Sequence, residues 1–432
     1  MKLTILDPGH FHAALLQKNM VEGVDATVHV YAPKGPDLDD YLAKIALFNT
    51  RGEQPTHWVT QLYTGADFFE RCMTGAAGDK AGMVVICGNN RHKTEFLGKL
   101  IAAGTHVLAD KPMVIDAAGF AQLEKTFAVA KQRGVMLYDI MTERHEITTL
   151  LQKEFSTIAA VFGTLQKGDA ADPAVTKESV HHFSKIVSGA PLKRPGWCFD
   201  VAQQGEGIVD VTTHLVDLVQ WECFPGEIID YRKDIDMLAA RRWPTVITPA
   251  EFEKVTTLAD WPDSLKKDVR ADGNLYVHAN GEMTYRLRGV HAKVSVLWNF
   301  EAPPGSADTH FSVMRGSKAN LVIRQGREQH YQPALYVEPL PGEEPKAFAA
   351  TLEQAMKAVE AKYPGVGIKR LGAGWEVTVP ASYHIGHEAH FGQVAEQFLA
   401  YLKAGAMPAW EVPNMLAKYA TTTRALELAR SG

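Results

Sequence analysis

The chain has 432 residues, with 45 basic and 50 acidic side chains and a formal charge of −5 when histidines are neutral. A single hydrophobic core rarely grows past about 250–300 residues, so two domains are expected. Apolar residues make up 46% and charged residues 22%, an ordinary globular composition without the long Lys/Arg run that marks a nucleic-acid binder.

The first apolar run, Leu3 to Leu6, ends at Asp7-Pro8-Gly9 and leads into a helical stretch over 12–20. That run is too short for a signal-peptide core, and no segment reaches the roughly 20 apolar residues that cross a bilayer. A cytoplasmic protein with no membrane partner is expected. Cys72, Cys87, Cys198 and Cys223 are too few and too scattered for a disulfide scaffold or a CxxC metal knuckle. Strands are expected over Ala26–Tyr31, then Met83–Cys87, an unbroken apolar run of the buried parallel type closed by Gly88-Asn89-Asn90. A helix over Lys93–Ala103, a strand over Thr105–Ala109, a helix over Asp116–Gln132 and a strand over Val135–Tyr138 follow. This alternation reads as a doubly wound α/β domain over 1–140. Between 275 and 325 the pattern changes to successive strands: Asn274–Ala279, Gly281–Leu287, Ala292–Phe300, Thr309–Met314 and Ala319–Arg324. The Ala279-Asn280-Gly281 turn signal predicts a hairpin, and the region reads as the open sheet of an α+β domain over 141–386. Lys346–Tyr363 reads as an amphipathic helix. The segment 387–432 reads as helical, packing on the body, with a break near Met407-Pro408.

Three constellations carry chemistry. In the first, Asp7-Pro8-Gly9-His10-Phe11-His12 joins a strand end to a helix. A glycine there permits close backbone approach to a phosphate, but only Gly9 of a three-glycine fingerprint is present, and an ordinary tight turn is the simpler reading. Tyr31-Ala32-Pro33-Lys34 stands where an acidic residue would bind the ribose of NAD; Asp37 is a late substitute, and Lys34 suits the 2′-phosphate of NADP. In the second, Asp110-Lys111-Pro112 follows a strand, and a lysine at such a carboxyl end can hold a substrate oxygen. In the third, Gly205 to Asp217 places Asp210 and His214 four residues apart, on one face if helical, with Asp217 one turn further on. A buried histidine beside a carboxylate suits proton transfer; the alternative is a satisfied core histidine. Upstream, Arg194 to Asp200 mixes aromatic and polar groups as sugar-binding surfaces often do, and packing is an equal reading.

In this order the constellations resemble the glucose–fructose oxidoreductase / inositol dehydrogenase / rhizopine catabolism (Gfo/Idh/MocA) family. Asp110-Lys111-Pro112 matches its Glu-Lys-Pro motif, Val84 to His92 its fourth-strand loop, and Gly205, Gly207, Asp210 and His214 its second-domain motif. The resemblance implies an N-terminal Rossmann domain and a C-terminal domain on an open, mostly antiparallel sheet, through which a homodimer or homotetramer forms. It implies hydride transfer between NAD or NADP and a secondary alcohol of a sugar, glycoside or cyclitol. Lys111 would position the substrate hydroxyl, His214 would be the general base, and Asp210 would hold substrate or histidine. Cofactor contacts would come from Gly9, His10, Phe11, His12, Tyr31, Gly88, Asn89, Asn90, His92, Asp110 and Lys111. Substrate contacts would come from Arg144, His182, Lys185, Arg194, Trp197, Asp200, Asp210 and His214. No metal ligand is assigned. Against the family pattern the glycine fingerprint is eroded, and segments near 232–272 and 326–380 read as insertions. Three alternatives stay open: a glycoside-processing or isomerising enzyme with tightly bound, internally recycled NAD(P), a metal-dependent hydrolase or isomerase using the histidine pairs His181-His182 or His384 to His390, and a non-catalytic sugar-binding protein.

Overall fold

The computed structural model describes residues 1–187 and 189–431. Its first sheet is wholly parallel, and most of its strands are apolar along their length because helices cover both faces. Strands β1 (Lys2–Leu6), β2 (Thr27–Ala32), β3 (Val59–Thr64), β4 (Gly82–Ile86), β5 (His106–Ala109) and β6 (Leu137–Asp139) lie in the order 3-2-1-4-5-6. They are linked by α1 (His12–Leu15), α2 (Pro36–Thr50), α3 (Phe68–Gly75), α4 (Lys93–Ala102) and α5 (Ala117–Arg133). The direction of winding reverses between β1 and β4, which opens a crevice at their carboxyl ends. The helix expected over 12–20 closes after one turn. Gln17 is buried, and its carbonyl accepts from Trp58 Nε1 at 2.8 Å, a bond that a continuing helix would have claimed. Strand β3 escaped the sequence reading because, as an edge strand, it is largely solvent-facing and carries no apolar run.

The second sheet has nine strands: β7 (Val175–Ser184), then, after a small hairpin of β8 (Ile186–Val187) and β9 (Ala190–Pro191), β10 (Ile235–Ile247), β11 (Leu275–Leu287), β12 (Val290–Glu301), β13 (Thr309–Arg315), β14 (Ala319–Gln325), β15 (Ala334–Pro339), β16 (Gly367–Leu371) and β17 (Gly374–Thr378). Their order is 10-11-12-7-13-14-15-17-16, and only the β12–β7 pair is parallel. The expected hairpin at Asn280-Gly281 is not formed; both residues lie inside β11. Asn280 amide nitrogen donates to the Trp243 carbonyl and its amide oxygen accepts from Trp298 N, tying three strands together. Gly281 is needed there because a Cβ would sit 2.5 Å from Ile208. The segments read as insertions extend this sheet: β10 forms one edge, and β15 to β17 the other. One face is covered by α6 (Ile147–Ser156), α7 (Thr212–Cys223) and α9 (Pro345–Lys362), which bury Leu151, Val216, Val219 and Leu352 against the strands. Helix α8 (Pro249–Thr256) starts from a Thr248/Glu251 capping box.

The chain ends in α10 (His387–Ala404) and α11 (Glu411–Ser431), separated at the expected break. Phe391, Phe398, Met415 and Tyr419 join the core of the first domain, while Ala417, Ala420 and Leu426 on the same α11 join that of the second. The last helix therefore fastens one sheet domain to the other.

Candidate active site

The crevice at the switch point opens into a cavity of about 970 Å3 between the two sheets. Strand β5 delivers Lys111 to its wall, with Asp110 buried just before it, and the Lys111–Pro112 peptide is cis. Lys111 Nζ donates to Asp210 Oδ1 at 2.5 Å, and Gln204 Nε2 donates to Asp210 Oδ2 at 3.0 Å. Burial alone would raise the Asp210 pKa; the Lys111 ammonium overrides it and holds the carboxyl below its usual value. Asp210 lies just before α7, not inside it as the spacing predicted, in a turn pressed onto β11. Gly207 makes this possible, since a Cβ there would lie 1.7 Å from the Ala279 carbonyl oxygen. His214, one turn into α7, lines the same cavity, and its buried Nδ1 has no partner among the described residues. Burial and the Lys111 charge push its pKa down to about 4, so the imidazole is neutral at pH 7. Asp217 does not add a third group: it turns away to Arg144 and Lys418.

The opposite wall comes from β7 and the loop before β13. His182 Nδ1 lies 2.8 Å from Asp308 Oδ1, and Lys185 Nζ donates to Asp308 Oδ2 at 3.0 Å. Arg194 donates to the Phe183 carbonyl at 2.7 Å and lies over the Trp298 ring, so its guanidinium is largely spent on structure. Glu143 and His387 complete the rim, 3.3 Å apart. Burial would raise the Glu143 pKa, yet the His387 bond holds it well below the ordinary range.

At the end of β1 the chain departs from a glycine loop. Asp7 adopts φ 53°, a left-handed conformation for which glycine is the usual residue. Gly9 is retained because a Cβ there would stand 3.1 Å from Asp37 Oδ2 and 3.5 Å from the Trp197 ring. Trp197 Nε1 donates to Asp37 Oδ2 at 2.8 Å, which removes Asp37 as a free ribose ligand. The His12 side chain does not crowd the crevice, because it turns to Asp110. The amides of Gly9 and His10 are taken by the carbonyls of Asp7 and Cys87, so fewer amides face the crevice than in a full fingerprint. Burial and the Asp37 charge push Asp7 up to about 6, the mark of an acidic corner. A dinucleotide is thus matched at its nicotinamide end, where Lys111, Gln204 and His214 line the cavity, and the buried His214 Nδ1 and Gln204 Oε1 have no hydrogen-bond partner among the described residues.

Of the residues singled out in the sequence, His10, Phe11, His12, Lys111, His182, Lys185, Arg194, Asp210 and His214 line this cavity. Others stand elsewhere. Gly88 is fixed by Asp7, whose carbonyl oxygen lies 2.0 Å from where a Cβ would be. Asn89 and Asn90 are committed to Gln203 and Gln204, pinning the second-domain loop to the first. Tyr31 stacks on Tyr63 beneath α3, His92 is exposed at the start of α4, and Asp200 holds its own loop through Ala202 and Gln203. Arg144 makes paired bonds to Asp217 at 2.6 and 2.7 Å and reaches Glu411 at 3.0 Å, a buried structural network. Gln204, Glu143 and Asp308 were missed, since no local motif marks them and only the tertiary fold brings them together; His387, from the histidine cluster over 384–390, reaches the cavity rim.

Residues 151–430 match the family described as "Putative oxidoreductase C terminal domain". A crystal structure described as a "putative oxidoreductase" from Parabacteroides merdae is 56% identical, covers 100% of this chain and 97% of its own, and superposes with a TM-score of 0.96. More distant in sequence are levoglucosan dehydrogenase in complex with NADH (12% identity, 100% and 97% coverage, TM-score 0.62). A 3-ketoreductase from Actinomadura kijaniata with NADP and TDP-benzene is similarly distant (14% identity, 100% and 97% coverage, TM-score 0.56). At these identities they establish the fold. No curated protein matches the sequence. The chain belongs to the Gfo/Idh/MocA-type oxidoreductases, and it is an oxidoreductase.

Proposed function

We propose that the protein moves hydride between NAD(P) and a secondary alcohol of a sugar, glycoside or cyclitol. The observation that carries this reading is the neutral His214 imidazole lining the cavity with the Lys111–Asp210 ion pair at the carboxyl end of a Rossmann sheet. NADH and NADP occupy two proteins of the same fold, which supports the choice of cofactor. Bound nicotinamide would supply the hydride acceptor, and Phe11 and Lys111, which line the cavity, would hold it. The His214 imidazole takes the hydroxyl proton of the substrate, and Lys111 Nζ stabilises the oxygen as negative charge develops on it. Asp210 positions Lys111, while His182, Lys185 and Gln204 offer polar contacts to the remaining hydroxyls of a ligand that the 970 Å3 cavity accommodates.

Titration of the protein with NADH and NADPH by fluorescence, followed by a polyol and sugar screen at saturating NAD+ and NADP+, tests this reading. Saturable binding with turnover of a secondary alcohol is expected. A folded protein that binds neither form overturns it. The nine-stranded sheet leaves a face away from the helices, on which Val313, Val322 and Tyr336 cluster. Self-association through that face belongs to the same proposal and is read by light scattering.

A further inference from the structure

The turn after β1 carries two histidines that hydride transfer does not use. His10 Nδ1 lies 3.0 Å from Asp110 Oδ2, and His12 Nδ1 lies 3.0 Å from the same oxygen and 3.1 Å from Oδ1. The two rings stand edge to face with centroids 4.0 Å apart. One donor atom from each residue falls within 4.8 Å of the others, the one group of this kind among the described residues. Two donors bound about 2.1 Å from an ion at right angles stand about 3.0 Å apart, so the two nitrogen–carboxylate spacings, which hydrogen bonds span here, also suit a shared ion. We propose that His10, His12 and Asp110 form a binding site for a divalent first-row transition cation, a two-histidine, one-carboxylate triad with open positions facing the cavity.

The surroundings favour the cation. Two imidazole nitrogens and one carboxylate are ligand types that such a cation takes. The neighbouring lysines are engaged elsewhere: Lys93 Nζ donates to the carbonyls of Asp110 and Pro112, and Lys111 Nζ to Asp210. Among the described residues, the Asp110 carboxylate is thus hydrogen-bonded by the two histidines. His12 is flanked by Phe391 at 4.4 Å and His387 at 6.5 Å, so α10 closes one side of the site. Asp7 and Asp37, whose charges oppose one another, add acidic groups to the same corner of the first sheet. The residues that interrupt the glycine loop thus form a site of their own. His10, His12 and Lys111 line one cavity, so an ion here would offer its open positions to oxygen atoms of a bound polyol or diphosphate.

The test uses full-length protein stripped with a chelator and then dialysed against Co2+, Zn2+ or Mn2+ alone, with no nicotinamide present. Metal analysis should find one ion per chain, and the Co2+ form should show the visible bands of nitrogen and oxygen ligation. Asp110→Asn and His12→Gln should each weaken binding at least tenfold, with near-UV circular dichroism reporting that the fold is retained. Because His12 is buried and its variant could fail to fold, the wild-type protein supplies a second reading. Bound ion should protect His10 and His12 from diethylpyrocarbonate, mapped by peptide mass. Failure to bind any of the three ions overturns the proposal. So does wild-type affinity in both variants, or modification of the two histidines at the same rate with and without ion. None of these outcomes depends on NAD(P) binding, so the two proposals fail separately.

Discussion

Lys111 and Asp210 are each about nine-tenths buried, and each is the other's closest charged partner. Lys111→Ala therefore does more than remove a catalytic ammonium, because it strands the Asp210 carboxylate in a largely desolvated site. Breaking one side of such a pair costs about 3–5 kcal/mol. The double variant Lys111→Ala/Asp210→Asn should recover a large part of that loss in urea unfolding while staying inactive. Equal stability of the single and double variants would contradict the pairing. His214→Asn removes the proton acceptor and should lower alcohol oxidation by about 10²–10⁴. Because no partner among the described residues binds Nδ1, the urea midpoint should move little. A variant with full turnover on an accepted polyol would remove His214 from the mechanism. At this scale the sequence was informative where a short motif dictates local geometry: Lys111 follows a strand end, and His214 follows Asp210 by four residues. It was silent on Gln204, Glu143 and Asp308, whose place in the cavity depends on separate elements converging.

Among the elements, α11 decides what Arg144 does. Position after β6, near the other motifs, pointed to a substrate contact. Instead its guanidinium bridges Asp217 of α7 and Glu411 of α11, and Lys418 of α11 joins Asp139 at 2.6 Å and Asp217 at 3.0 Å. Tyr138 and Tyr401 also donate to Glu411. Five ionised groups are buried together here, each with an opposite charge beside it, so the cost of desolvation is offset only while the set is complete. Arg144→Leu should lower the urea midpoint by an amount equivalent to about 3–5 kcal/mol, with kcat/KM of the folded fraction unchanged. A raised KM at an unchanged midpoint would return Arg144 to the substrate. Alternating apolar runs made the central strands legible, whereas this network was not, because its members lie up to 280 residues apart, as Tyr419 and Asp139 do. The misread turn at Asn280-Gly281 has the same origin. A glycine required by the approach of Ile208 looks, in sequence, like one required by a hairpin.

For the molecule as a whole, the joint between the domains should be its acid-sensitive part. His145, His214, His310 and His390 are each pushed by burial to about 4, against an ordinary value of 6.5. Between those two values the unfolded chain binds protons that the folded chain refuses, so stability falls as the pH falls. The slope is about 1.4 kcal/mol per pH unit for each full proton of difference. His214 and His390 are the most buried and should contribute most, while the partly exposed pair is screened by solvent and contributes less. Asp7 works in the opposite sense. Its folded value is about 6 against 3.8, so it stabilises the folded chain at low pH and loses that contribution as the pH rises through 6. Asp37, Glu146 and Glu222 are raised too, but six further histidines (His10, His12, His29, His106, His181 and His278) are lowered like the four, so the urea midpoint should decline steadily from pH 7 to pH 4.5. Three of the four, His214, His310 and His390, feel the charge of Glu143. His214 and Glu143 themselves line the cavity. Acid should therefore loosen the seam between the sheets before either core melts. Hydrogen exchange at pH 5 should accelerate first in α7 and α10, with β4 and β12 still protected. Uniform acceleration across both sheets, or a midpoint that rises on acidification, would show that these histidines do not control the joint.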